Sequence, residues 1–74
     1  MNEHSLAILP YLNEYPKAVL KNINVVLTDL TGHILIEEIN KNLIDIASLP
    51  KGYYIAFVFD CCGILIKKIR VVKK

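Results

Sequence analysis

The sequence predicts an all-β chain: a small antiparallel β-sandwich of about six to seven strands, forming one domain over residues 1–74. Three observations carry that expectation. Apolar, β-branched segments recur about every 8 to 12 residues with turn chemistry between them, the spacing of sandwiches. All three glycines, Gly32, Gly52 and Gly63, fall in those turns. No stretch holds a helical period over the roughly 11 residues a helix assignment needs.

Residues 1–16 read as irregular or as an edge strand. Ser5-Leu6-Ala7-Ile8-Leu9 suits a short strand ended by Pro10, with a brief helical turn as the competing reading, and Asn13-Glu14-Tyr15-Pro16 has loop chemistry. In Ile23-Asn24-Val25-Val26-Leu27-Thr28-Asp29 the period of two puts Ile23, Val25 and Leu27 on one face and Asn24 and Thr28 on a wetter one. Asp29-Leu30-Thr31-Gly32-His33 is a turn with glycine where positive φ is expected, and Ile34 to Ile39 returns from it as a hairpin. Leu43-Ile44-Asp45-Ile46 is a further short strand.

Pro50 and Gly52 then mark a turn before Tyr53-Tyr54-Ile55-Ala56-Phe57-Val58-Phe59, whose unbroken aromatic and β-branched composition predicts a central strand buried on both faces or nearly so. Asp60-Cys61-Cys62-Gly63 turns the chain into a closing strand, Ile64 to Val72, that grows basic toward its end.

Composition narrows the function classes. With 54% hydrophobic and 22% charged residues the chain is globular rather than disordered. At this length only about 60% of the unfolded surface is buried on folding, so stability is thin. A net charge of +2 gives no basis for nucleic-acid binding. No apolar run approaches the roughly 18 to 20 residues of a membrane span, and Met1-Asn2-Glu3-His4-Ser5 has no basic n-region ahead of a long apolar stretch, so no signal peptide is expected within these residues.

Candidate chemistry is sparse. His4 and His33 lack neighbours at ligand spacing, and neither Ser5 nor Ser48 sits in a nucleophile elbow, so no metal, cofactor or enzymatic role is expected. Asp29, Asp45 and Asp60 lie near strand ends, where turn-capping is favoured over calcium binding. Cys61 and Cys62 are adjacent, which disfavours a mutual disulfide, and read as turn residues. Tyr53, Tyr54, Phe57 and Phe59, with Tyr11 and Tyr15, resemble a stacking platform, but aromatics alternating with Ile55 and Val58 in a central strand read as sandwich core, and the mild net charge offers no phosphate-binding groove. Lys67, Lys68, Arg70, Lys73 and Lys74 form a basic end with two readings, a lysine-protected edge strand or a recognition tail.

From Ile23 to Lys74 the chain resembles the C-terminal sorting domain of the type IX secretion system of Bacteroidetes. The matching residues are the strand into Asp29-Leu30-Thr31-Gly32, the return strand with Glu37 and Glu38, the run Ile44-Asp45-Ile46-Ala47-Ser48-Leu49-Pro50-Lys51-Gly52-Tyr53-Tyr54, the turn at Gly63 and the Lys-Lys-Ile ending. The family opens with a Pro-Asn-Pro element and two early strands; Asn13-Glu14-Tyr15-Pro16 echoes the first, and the strand after it is short or missing. The resemblance implies an immunoglobulin-like, non-catalytic signal read by an outer-membrane translocon, in a parent protein that is secreted, periplasmic or at the cell surface. Gly32, Pro50, Gly52, Tyr54 and Gly63 would then shape the fold, and Lys67, Lys68, Lys73 and Lys74 would belong to the recognised end. A second resemblance, to small immunoglobulin-like modules of Bacteroides, implies a free-standing accessory domain for adhesion or protein contact. Either way the expected partner is a protein, the translocon or the parent chain, and an open sheet edge is expected to favour self-association.

Overall fold

The computed structural model describes residues 4–74, so Met1-Asn2-Glu3, the start of the stretch read for a signal sequence, lies outside the described residues. Among the described residues six strands form: β1 (Ser5–Ala7), β2 (Asn24–Asp29), β3 (Ile34–Ile39), β4 (Leu43–Asp45), β5 (Gly52–Phe59) and β6 (Leu65–Lys73). They make two antiparallel sheets, one of four strands in the order β3-β2-β5-β6 and one in which β1 pairs with β4. The chain is a small all-β sandwich.

The segment expected to be either strand or helical turn is both in succession. After β1, Pro10 sits in the first turn of a 3-10 helix, Leu9–Leu12, where its missing N–H costs no hydrogen bond. The early strand expected to be short or missing is replaced by a single helical turn, α1 (Lys17–Leu20), entered from Pro16 in extended conformation. Val19 N–H donates to the Pro16 carbonyl at 3.0 Å. Four residues cannot stand as a helix without packing, and Leu20 supplies it by lying against the core.

One core holds the layers together. Val25 and Leu27 of β2, Tyr54, Ala56 and Val58 of β5 and Ile69 and Val71 of β6 line one face of the large sheet, and Ile8, Leu12, Ile23, Ile44 and Ile46 close over it. The small sheet is fastened at both ends, by Ile8 N–H to the Asn42 carbonyl at 2.8 Å and Ile46 N–H to the His4 carbonyl at 2.9 Å. Tyr15 clips the N-terminal segment across the sandwich, its hydroxyl donating to the Ile66 carbonyl at 2.6 Å.

Three sequence expectations change. β5 is an inner strand, but only one of its faces is buried: Tyr54, Ala56 and Val58 are in the core, whereas Phe57 and Phe59 are half-buried and Tyr53 is 65% exposed on the opposite face. The period of two splits the aromatic residues between the faces, and the described residues form no third layer to cover the second. Thr28, assigned to a wetter face, is buried; a register shift between Leu27 and Thr28 alters its pairing, and its hydroxyl donates to the Asp29 carbonyl at 2.9 Å. Gly52 is the first residue of β5 rather than a turn residue.

Candidate functional site

Cross-strand register defines the uncovered face of the large sheet, because residues directly opposite one another share a side. One row runs Glu37 on β3, Val26 on β2, Phe57 on β5 and Lys68 on β6. The next runs Ile34, Thr28, Ile55 and Arg70, and Ile39, Asn24 and Phe59 lie on the other side of the first. Ile34, Ile39, Tyr53 and Val72 are each more than half exposed there. The face is therefore apolar along β5 and at Val26, with Asn24 and Thr28 beside Val26 on β2, a single acid, Glu37, at the β3 edge and two cations, Lys68 and Arg70, at the β6 edge. Beside Tyr53, Ile55, Arg70 and Val72 it dips into an open groove that Leu30 also lines.

The five cations singled out in the sequence take four different positions. Lys68 holds its ammonium 5.9 Å from the centre of the Phe57 ring, on the open face. Arg70 is exposed on the same face, opposite Ile55, and Lys74 is exposed beyond β6. Lys67 is on the core-side register, where it reaches Glu14 at 3.4 Å. The Glu14 carboxyl is held below its usual value by a backbone hydrogen bond first and by Lys67 after it. Lys73 turns back under the sandwich: its Nζ donates to the carbonyls of Ile46, Ala47 and Leu49 at 2.7, 2.9 and 2.7 Å. Those bonds use every proton the ammonium has. Lys73 is thus a clamp between the end of β6 and the loop leading into β5.

The turn residues have equally specific jobs. Asp29-Leu30-Thr31-Gly32-His33 and Asp60-Cys61-Cys62-Gly63-Ile64 are built alike. In each, one aspartate oxygen accepts the N–H groups two and four residues on, at 2.9 and 3.0 Å from Asp29 and 2.8 and 3.0 Å from Asp60. The glycines take φ of +95° and +80°, in the region a side chain strains. Asp45 does likewise for Ala47 N–H at 2.9 Å, so all three aspartates expected to cap turns do so. The Thr31 hydroxyl at 2.7 Å, then the backbone amides of His33 and Thr31, draw the Asp29 carboxyl down to about 2.

Pro50 contributes its carbonyl, which accepts a hydrogen bond from the Tyr54 hydroxyl. A tyrosine bonded to the backbone four residues upstream makes a corner at the mouth of the strand, and it gives the Leu-Pro-Lys-Gly-Tyr-Tyr run a physical reason. Cys61 and Cys62 are exposed at the tip of the β5–β6 turn with their sulfurs 3.7 Å apart. The hydrogen bond with Cys61 pushes the Cys62 thiol up, helped by the charges of Cys61 and Asp60.

Among the described residues no three His, Cys, Asp or Glu side chains gather as metal ligands, and no helix is long and apolar enough to cross a membrane. The architecture defines a class, a small two-sheet sandwich with one roofed face and one open apolar face bordered by opposite charges. No protein-family model, curated protein or solved structure matches the chain. Sequence reasoning missed the open face itself. Its signal was present in β5, where both parities are apolar although the chain is too short to roof both sides.

Proposed function

We infer that the chain is a non-catalytic protein-recognition module, and that it serves as a sorting signal of the type IX kind, read by a translocon in the outer membrane from a parent protein destined for the periplasm or cell surface. The observation that supports this reading is the disposition of β6. It is an edge strand that presents Lys68, Arg70 and Lys74 to solvent beside an open apolar face, while the aspartates are spent on turns. A strand edge that pairs with no other strand beyond the Tyr15 clip at Ile66, and that carries a row of cations, suits docking by strand addition to an acidic receptor.

The test fuses residues 1–74 behind a periplasmic reporter in a type IX-competent host and compares Lys74→Ala, Arg70→Ala and Lys68→Ala with the parent. Export that falls in these variants while the thermal midpoint is unchanged supports recognition through the strand. Reporter that never leaves the periplasm removes the sorting role. Lys73 is left intact in this comparison, because its loss would weaken the fold and mimic lost recognition.

A second reading is favoured by the open face: an accessory immunoglobulin-like module for adhesion or protein contact, secreted or periplasmic. It requires no export signal, and it yields a stable protein partner whose binding is abolished by charge placed on the sheet face, for example Ile55→Glu.

A further inference from the structure

We propose that the open face of the β3-β2-β5-β6 sheet is closed by a second copy of this chain, packed face to face about a two-fold axis that lies in the interface parallel to the strands. Ile34, Ile39, Tyr53 and Val72 stand exposed around half-buried Val26, Ile55 and Phe57, and neighbouring exposed apolar side chains rimmed by polar ones mark a contact surface. The arrangement of its charges selects the occupant. The row Glu37, Val26, Phe57, Lys68 carries an acid at one end, a base at the other and two apolar side chains between.

A two-fold axis parallel to the strands reverses the order of strands and keeps each residue's height along them. It therefore lays the same row of the second copy head to tail over the first. Glu37 meets Lys68 of the other copy at both ends, and Val26 meets Phe57 in the middle. By the same operation Arg70, one row along, lies over Ile34 of the other copy, so the two Glu37–Lys68 pairs carry the charge complementarity. A two-fold axis perpendicular to the strands, still in the interface plane, would instead set β3 against β3 and β6 against β6. That places like charges together, a geometry disfavoured at interfaces. Sheets packed in this aligned way sit about 10 Å apart with strands inclined by about 30°.

The size fits a reversible association. Four strands about 4.8 Å apart and about seven residues long give a footprint of about 400–500 Å² on each copy. The pair then buries about 800–1,000 Å² before side-chain relief is counted, below stable specific interfaces and in the range of weak, transient ones. The proposal does not depend on the export reading: a failed export test leaves it intact, and a failed dimer test leaves export intact.

Sedimentation equilibrium over about 10 μM to 1 mM, with circular dichroism to verify folding, tests it through a charge swap on two exposed positions. The wild type is expected to show a monomer–dimer equilibrium. Glu37→Lys and Lys68→Glu are each expected to weaken the dimer at least tenfold, because each sets like charges opposite one another twice per dimer. The double variant Glu37→Lys/Lys68→Glu is expected to recover the wild-type constant to within a few-fold, since the pairs are re-formed with exchanged signs. A strict monomer at the highest concentration overturns the proposal. So does a dimer indifferent to both single variants, which would indicate pairing through the sheet edges, or a double variant no tighter than the weaker single.

Discussion

Replacing Lys73 by Met tests whether the last cation of β6 is a structural clamp. The substitution keeps most of the aliphatic stem and removes only the ammonium, which bonds three carbonyls at 2.7 to 2.9 Å. A hydrogen bond from a charged donor contributes about 1.5–3 kcal/mol net. The three do not add, because one is exposed and water replaces the ammonium at the Ala47 carbonyl, whereas the bonds to Ile46 and Leu49 are partly buried. A loss of about 2 kcal/mol is expected, equivalent to about one well-made charged bond. For a domain of this size each kcal/mol moves the thermal midpoint by about 4–8 °C, so Lys73→Met should melt about 8–16 °C lower. Urea unfolding followed by circular dichroism gives the free energy directly, and Lys74→Met, one residue on and exposed, is the control, expected within about 0.5 kcal/mol of wild type. If the two variants unfold together, the clamp contributes nothing and Lys73 returns to the surface cations.

Other consequences are equally accessible. Tyr54→Phe removes only the hydroxyl bonded to the Pro50 carbonyl and should cost about 1–1.5 kcal/mol in the same urea assay; no change would dismiss the corner as a stabilising element. Gly32→Ala and Gly63→Ala meet no atom within 4 Å, so the positive φ alone should cost about 1–2 kcal/mol at each site, and an unchanged midpoint would mean the turns relax freely. Asp29 ionises at about 2 in the fold against an ordinary 3.8, so its stabilising effect is complete above the ordinary value and is lost as pH falls from about 4 toward 2. Asp29→Asn should flatten the fall of the thermal midpoint over that window, and a variant that tracks wild type would refute the assignment. Because the thiol of Cys62 is pushed up, its alkylation in the folded protein should require more alkaline solution than that of a free cysteine, as read by peptide mass mapping.

How much of this was legible in the sequence depends on range. The Asp-x-x-Gly turns, the alternation of Ile23, Val25 and Leu27, and the bounds of β3 are written in neighbouring residues, and they appear where local chemistry puts them. The faces of β5 were not, because both parities of Tyr53 to Phe59 are apolar and only the tertiary supply of covering segments decides which side is roofed. The β1–β4 sheet, with the two helical turns, covers one side, leaving the other open. Nor could the basic run reveal that Lys73 and Lys67 are occupied while Lys68, Arg70 and Lys74 are presented, since the clamp carbonyls lie 24 to 27 residues away in sequence and Glu14 lies 53 away. The candidate surface was missed for the same reason: it joins Glu37 to Lys68 across four strands, and no local pattern records a row of that kind.

The claim on which the rest turns is that the open side of the large sheet is a working contact surface. Side-chain methyl and aromatic NMR spectra recorded from dilute to millimolar protein examine it directly. Resonances of Val26, Ile34, Ile55 and Phe57 should move together with concentration while those of Ile8, Leu12 and Ile44 in the core stay fixed. Spectra that do not change with concentration, or changes confined to the edge strands, would contradict the account.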